Sequence, residues 1–210
     1  MSRIEAVVFD IGRVLIEWHP EEFFDKITGS QEAREKMFFE TAILDMNDRI
    51  DMGDPWRETV YALADQFPQY ADYIRLWHDR WLDIATPAID WSVRLKGQLL
   101  AKDIPVFALT NFGVGTFEVA QQAYPFLQDF DRIFVSGQLK MMKPDPAFYA
   151  VLETETGAIP ETLLFTDDRP ENLETAHLRG WKTHLFTHPK GLAERLVAEG
   201  LLTPQEAELE

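Results

Sequence analysis

Asp10, Thr110-Asn111, Lys143 and Asp167-Asp168 are the side chains in this sequence whose types and spacing could do chemistry. Each lies at the end of a short apolar run or in the segment after one. Taken singly, each has a plain structural use. Asp10 and Asp167-Asp168 could turn the chain or cap a helix, and Thr110-Asn111 could be an N-cap. Lys143-Pro144-Asp145-Pro146 fits a loop with Asp145 as N-cap and proline at the first helical position. Taken together they fit a phosphate site. A carboxylate can attack phosphorus and form an acyl-phosphate, which splits one hard displacement into two easier ones. Two anions approach only with a cation between them. Mg²⁺ supplies that charge with one or two carboxylates, phosphate oxygens and water; Asp10 with Asp167 or Asp168 are available. A lysine neutralises the phosphoryl oxygens, and Lys143 fits. A hydroxyl and an amide at a helix start bind the remaining oxygens, and Thr110 and Asn111 fit.

The elements that must position these groups follow from hydrophobic patterning. Val7–Asp10, Pro105–Leu109, Arg132–Val135, Thr162–Phe165 and Lys182–Phe186 read as strands apolar enough to be covered on both faces. Helical patterns lie between them at Ile89–Lys102, Val114–Tyr124, Pro146–Thr156 and Pro170–Arg179, with a last helix starting near Leu192. Gly180 stands where a helix should stop before the fifth strand. Alternation of this kind predicts an α/β fold with a parallel, doubly wound sheet, in which ligands bind beyond the carboxyl ends of the strands. From Glu17 to Pro87 no strand pattern occurs. Helical spacing recurs there in Phe23-Phe24…Ile27 and Tyr73…Leu76-Trp77…Arg80-Trp81, and the stretch is too long for one crossover helix. We expect a catalytic core of residues 1–16 and 88–210, and a helical cap of residues 17–87.

With 210 residues, 46% of them hydrophobic, the chain can bury one core and carry a small appended module. Lys plus Arg is 20 and Asp plus Glu is 36, a formal charge of 20 − 36 = −16. That sign argues against nucleic acid and anionic membranes as partners. There is no cysteine, so disulfides, thiolate catalysis and Cys-ligated metals are excluded. The run that follows Met1-Ser2-Arg3 is too short for a signal peptide or a membrane helix, so a soluble cytoplasmic protein is expected. The acidic tail, Thr203 to Glu210, is expected to fray. Oligomeric state is open.

The sequence resembles the haloacid dehalogenase-like hydrolase superfamily. The matching pieces are Val7-Val8-Phe9-Asp10-Ile11-Gly12-Arg13-Val14-Leu15, Leu109-Thr110-Asn111, Met142-Lys143-Pro144-Asp145, and Phe165-Thr166-Asp167-Asp168 followed by Asn172. They occur in the superfamily's order. The resemblance implies a Rossmann-like core with a small helical cap inserted after the first motif, and catalysis with Mg²⁺ through an aspartyl intermediate. It implies Asp10 as nucleophile and metal ligand, and Thr110 and Asn111 as phosphate-binding residues. Lys143 would offset charge. Asp167 would be the nearer metal ligand, with Asp168 supporting the metal or its waters, and the Gly12 carbonyl would be a further ligand.

Gly12 departs from the commonest phosphatases of that superfamily, which carry a second aspartate there as general acid and base. Positioned acid–base catalysis is typically worth about 10²–10⁴-fold. One expectation is a phosphatase of a small phosphorylated metabolite in which Glu17, His19 or a cap residue replaces that acid, or whose leaving group needs little help. Sugar-phosphate phosphatases with Asp-x-Gly at the first motif look like this. A second is a 2-haloacid dehalogenase, whose halide leaves without a proton. The paired Asp167-Asp168 and the missing serine-asparagine signature speak against it. A third is a binding or regulatory module with vestigial catalysis. Gly12 could instead be needed for its backbone freedom. Arg13 could meet a substrate carboxylate or second phosphate, as could Arg49, Arg57 and Arg80. The aromatics Trp56, Trp77, Trp81, Trp91, Phe23, Phe24, Phe38 and Phe39 are expected mainly to pack cap against core. No zinc spacing is present.

Overall fold

The computed structural model describes residues 3–209. Met1, Ser2 and Glu210 lie outside that range. Five strands, β1 (Ala6–Phe9), β2 (Val106–Thr110), β3 (Arg132–Val135), β4 (Leu163–Asp167) and β5 (Lys182–Leu185), form one parallel sheet in the order β3-β2-β1-β4-β5. The fold class is thus the expected one, a parallel α/β sheet with flanking helices. β1 is central because all four of its residues are apolar and buried. Alternation along a strand sends neighbours to opposite faces. Val7 and Phe9 join one core layer with Val106, Ala108, Leu95, Leu99, Leu192 and Leu196. Ala6 and Val8 join the other with Phe107, Leu109, Tyr149, Leu152, Phe165 and Trp181. The chain runs outward from β1 through β2 to β3, then returns across β1 to β4. The switch point therefore lies between β1 and β4, where open sheets bind ligands.

Between β1 and β2 the chain forms α1 (Pro20–Thr28), α2 (Gln31–Thr41), α3 (Ile43–Asp51), α4 (Trp56–Gln66), α5 (Ala71–Asp79) and the single turn α6 (Trp81–Ile84) before α7 (Asp90–Ala101). These helices bury a cluster of their own, with Phe24, Met37, Ile43, Met46, Ile50, Val60, Ile74 and Trp77 inside it. Trp77 stacks on Phe24 with ring centroids 5.6 Å apart. The two strands of chain leading in and out are tied side by side: Glu17 N–H donates to the Pro87 carbonyl at 2.9 Å and Ile89 N–H to Leu15 at 2.8 Å. Phe39 is 89% exposed, so it neither packs against the core nor faces it.

The remaining helices are α8 (Val114–Ala123), the one-turn α9 (Ser136–Leu139), α10 (Pro146–Thr156), α11 (Pro170–Leu178) and α12 (Pro189–Ala198). The helix expected near Leu192 begins three residues earlier, because His188 caps it and Pro189 occupies its first turn. Gly180 follows α11 with φ +96°, a conformation that glycine adopts freely. The described part of the tail does not fray. Ala207 is fully buried, Trp91 donates to its carbonyl at 3.1 Å, and Arg94 pairs with Glu208 at 2.6 Å. Apolar residues interleaved with the acids of that tail anchor it. Among the described residues, no helix is long and apolar enough to cross a membrane.

Candidate active site

The register of the sheet assembles the site. Phe9 is level with Ala108 on β2 and with Thr166 on β4. One step further along each strand stand Asp10, Leu109 and Asp167, with Thr110 next, so three of the expected residues meet at the carboxyl edge. Asp10 N–H donates to the Thr166 carbonyl at 2.9 Å, which holds the nucleophile candidate against β4. Asp10 Oδ1 accepts from Ile11 N–H at 2.7 Å and from the Thr110 hydroxyl at 3.0 Å.

Lys143 arrives from the loop before α10 and is almost fully enclosed. Its ammonium lies 2.9 Å from Asp10 Oδ1 and 2.7 Å from Asp167 Oδ2. Burial alone would pull the Lys143 ammonium below the ordinary lysine range, but Asp10 and Asp167 outweigh it and hold it above. Burial raises the Asp10 carboxyl above the usual carboxylate range; Lys143 opposes that rise, while Asp167 and Asp168 add to it. For Asp168, burial and then Asp167 push in the same upward direction, against Arg13 and Lys143.

Asn111 lines the cavity and is engaged with Lys143. Its amide donates to the Lys143 carbonyl at 3.0 Å and its oxygen accepts Lys143 N–H at 2.9 Å. The side chain braces the lysine's backbone rather than pointing freely at a ligand. Asp167 and Asp168 have different surroundings. Asp167 accepts from Lys143, from the Asn172 Nδ2 group at both carboxylate oxygens (3.0 and 3.0 Å) and from Arg169 N–H at 2.8 Å. Those donors engage both of its oxygens. Asp168, not Asp167, lines the cavity over the sheet edge, together with Asp10, Gly12, Arg13, Lys143 and Asn111. That cavity has a volume of about 500 Å³, enough for a small metabolite.

Asp10, Asp167 and Asp168 can each offer an oxygen such that these atoms lie within 4.8 Å of one another. Three oxygen donors this close together could hold a hard cation such as Mg²⁺. Gly12 leaves its carbonyl out of the local bridge, which is carried by Ile16 N–H to Ile11 and Arg13 N–H to Ile16. A Cβ on Gly12 would meet nothing within 4 Å, and its φ is not left-handed. Gly12 is therefore not required by the backbone. Arg13, with φ 56°, reaches Asp168 at 3.8 Å and Glu21 at 3.6 Å at the cavity mouth. Arg49 pairs with Asp54, Arg80 with Asp83, and Arg57 lies over Tyr61; none of the three lines the cavity. Trp81 does, and Trp18 with it, while Trp77 is sealed inside the helical cluster.

Lining residues not singled out from sequence include Asn47, Asp48 and Asp51 on α3, and Arg169. Asn47 and Asp51 are four apart on one helix face, but surface helices commonly carry such pairs.

Solved structures with this architecture include a HAD family enzyme from Bacteroides thetaiotaomicron, 20% identical, covering 89% of this chain and 95% of that one with a TM-score of 0.67. A predicted HAD-like family hydrolase from Porphyromonas gingivalis is 23% identical, covering 93% and 98%, at 0.69. L-2-haloacid dehalogenase from Xanthobacter autotrophicus, with chloropropionic acid covalently bound, is 17% identical, covering 98% and 87%, at 0.62. The fold is that of the haloacid dehalogenase-like enzymes. The Bacteroides enzyme has also been crystallised with magnesium and inorganic phosphate. No family model matches the chain. Drimenol cyclase drtB from Aspergillus calidoustus is 31% identical over 105 residues; that match covers 50% of this chain and 20% of the cyclase. The haloacid dehalogenase-like fold thus hosts both phosphate-bound and haloacid-bound relatives, and only the site residues can separate them.

Proposed function

We propose that the chain is a Mg²⁺-dependent hydrolase of a small phosphorylated compound that acts through an aspartyl-phosphate on Asp10. The observation that carries this is the meeting of Asp10, Asp167 and Asp168 at one strand edge, the first two paired with one buried ammonium. So much negative charge at one strand edge is costly to assemble and has a use where a cation and a phosphoryl group are to be held. Asp10, the Gly12 carbonyl, Asp167 and Asp168 would hold the ion, which when bound shields the nucleophile from the phosphoryl oxygens. Thr110 steers Asp10, Lys143 offsets charge on nucleophile and substrate, and Asn111 fixes Lys143. Arg13 stands where a second anionic group of the substrate would enter. Residues 17–87 act as the cap over a core of residues 1–16 and 88–210, and set specificity. We place the protein in the cytoplasm, with a small-molecule substrate and neither nucleic acid nor membrane as partner.

A dehalogenase attacks carbon and needs no cation between two anions, so it leaves Asp168 without a task. Two assays separate these chemistries. Hydrolysis of nitrophenyl phosphate is expected with Mg²⁺ and lost in EDTA, with no halide released from chloropropionate in either. Halide release that persists in EDTA, without phosphate release, would replace the phosphatase by a dehalogenase.

A further inference from the structure

Gly12 leaves the nucleophile without a proton-transfer partner on its own strand, and the cavity contains a carboxyl group that no role above uses. Asp51 is the last residue of α3 and lines the same cavity as Asp10, Gly12 and Lys143. Its position is fixed from several sides. Asn47 donates to Asp51 Oδ2 at 3.0 Å, and the Gly113 N–H beyond β2 donates to the same carboxyl group. Asn47 cannot turn over, because its oxygen accepts the indole N–H of buried Trp77 at 3.0 Å. The Ser136 hydroxyl donates to the Asp51 carbonyl at 2.6 Å. Gly53 and Gly137 pack so closely that a Cβ on Gly53 would lie 2.6 Å from the Gly137 carbonyl. The end of α3 is thereby bolted to the loops after β2 and β3, and Asp51 is presented to the reaction space rather than to solvent.

We propose that Asp51 is the general acid and base of this site, supplied by the helical insertion in place of a carboxylate beside the nucleophile. The assignment rests on the phosphatase function proposed above. In the first step an Asp10 oxygen bonds to phosphorus as the phosphorus–oxygen bond to the leaving group breaks. Protonated Asp51 gives its proton to the departing oxygen, releasing an alcohol. In the second step Asp51, now a carboxylate, takes a proton from water as the water oxygen bonds to phosphorus. The Asp10–phosphorus bond breaks, inorganic phosphate leaves, and Asp51 is protonated again.

The groups facing Asp51 favour a proton there at neutral pH. Burial comes first, then Asp48 on its own helix, against the Gly113 and Asn47 hydrogen bonds, with Asp10 adding from β1; the carboxyl is pushed up to about 7. Lys143, Asp168, Arg169, Arg13, Glu17 and Glu21 complete the charged lining of the cavity. That value is close to the optimum for an acid–base group at physiological pH. The alternatives within reach fit less well. Glu17 lines the cavity but is tied to His19 at 2.7 Å, with the two side chains 33% and 40% exposed. Asp48 is exposed.

The test is the dependence of rate on leaving group. Asp51→Asn keeps the shape and one acceptor oxygen. It is expected to lower kcat/KM for an alkyl phosphate such as glycerol phosphate by about 10²–10⁴-fold. For nitrophenyl phosphate, whose leaving group needs no proton, the fall is expected to be below about tenfold. Equal falls on both esters would make Asp51 a structural residue and overturn the inference alone. A wild-type protein that hydrolyses neither ester with Mg²⁺ would overturn the underlying function, and the inference with it. Independently of whether the variant folds, the wild-type kcat/KM for the alkyl ester should decline on the alkaline side, with no such limb for nitrophenyl phosphate. Superimposable pH profiles would count against Asp51. Gly12→Asp, added to Asp51→Asn, should raise the alkyl rate more than the aryl rate. The open space at Gly12 admits the new side chain, and a gain that is equal on both would overturn the exchange of one acid for the other.

Discussion

Asp10→Asn is expected to lower kcat for every phosphate ester by roughly 10⁴-fold or more, because an amide cannot form the acyl-phosphate. The protein should stay folded. Asn keeps an oxygen that can accept from Ile11 N–H and the Thr110 hydroxyl, the two neutral donors that hold Asp10. Lys143 loses one carboxylate but keeps Asp167 at 2.7 Å. The substitution also removes a carboxyl that burial holds above its ordinary range, so stability should rise rather than fall at alkaline pH. Steady-state rates on nitrophenyl phosphate, with thermal unfolding of the same preparations, check both halves. Turnover within tenfold of wild type would remove Asp10 from the chemistry.

Lys143→Met should damage stability and activity together. Met is of similar length, so the packing loss is small and the electrical loss dominates. Removing one partner of a buried ion pair costs about 3–5 kcal/mol, or roughly 6–20 °C in Tm for a chain of this size. The loss has a defined pH dependence. Without the lysine the Asp10 carboxyl rises further above its unfolded-state value. A folded-state pKa raised in this way contributes stability that is complete below the unfolded carboxylate range and is lost as pH rises through the folded value. The deficit in Tm should therefore be small near about pH 5 and large near about pH 8 in metal-free buffer. A deficit of the same size at both would mean that Lys143 acts by packing and not by charge.

Both effects trace to the same few atoms, and so does the contrast between what was legible beforehand and what was not. The central strands β1, β2 and β4, which end at or just before Asp10, Thr110 and Asp167, could be read because fully buried parallel strands are written as unbroken apolar runs, whereas the edge strands β3 and β5 are partly exposed. Observed strands lie within one or two residues of the expected ones, and the helix Pro146–Thr156 matches at both ends. The tail could not be read, because acidic composition hides Ala207 and Leu209, which anchor it.

The sequence by itself determined the groups available for chemistry: a carboxylate at the end of the first strand, a lysine, an acidic pair and no cysteine. It also determined that these would share one sheet edge, since in a parallel sheet the carboxyl ends of all strands point the same way. Tertiary structure decided how they are used. It turned Asn111 onto the lysine backbone, engaged both Asp167 oxygens with donors and left Asp168 facing the cavity. It also brought Asp51 into the same cavity as Asp10 from a helix about forty residues away in sequence. Strand periodicity reports which face a residue lies on and how far along. Docking of one hydrophobic cluster on another depends on side-chain shapes distributed over the whole chain, and no local pattern records it.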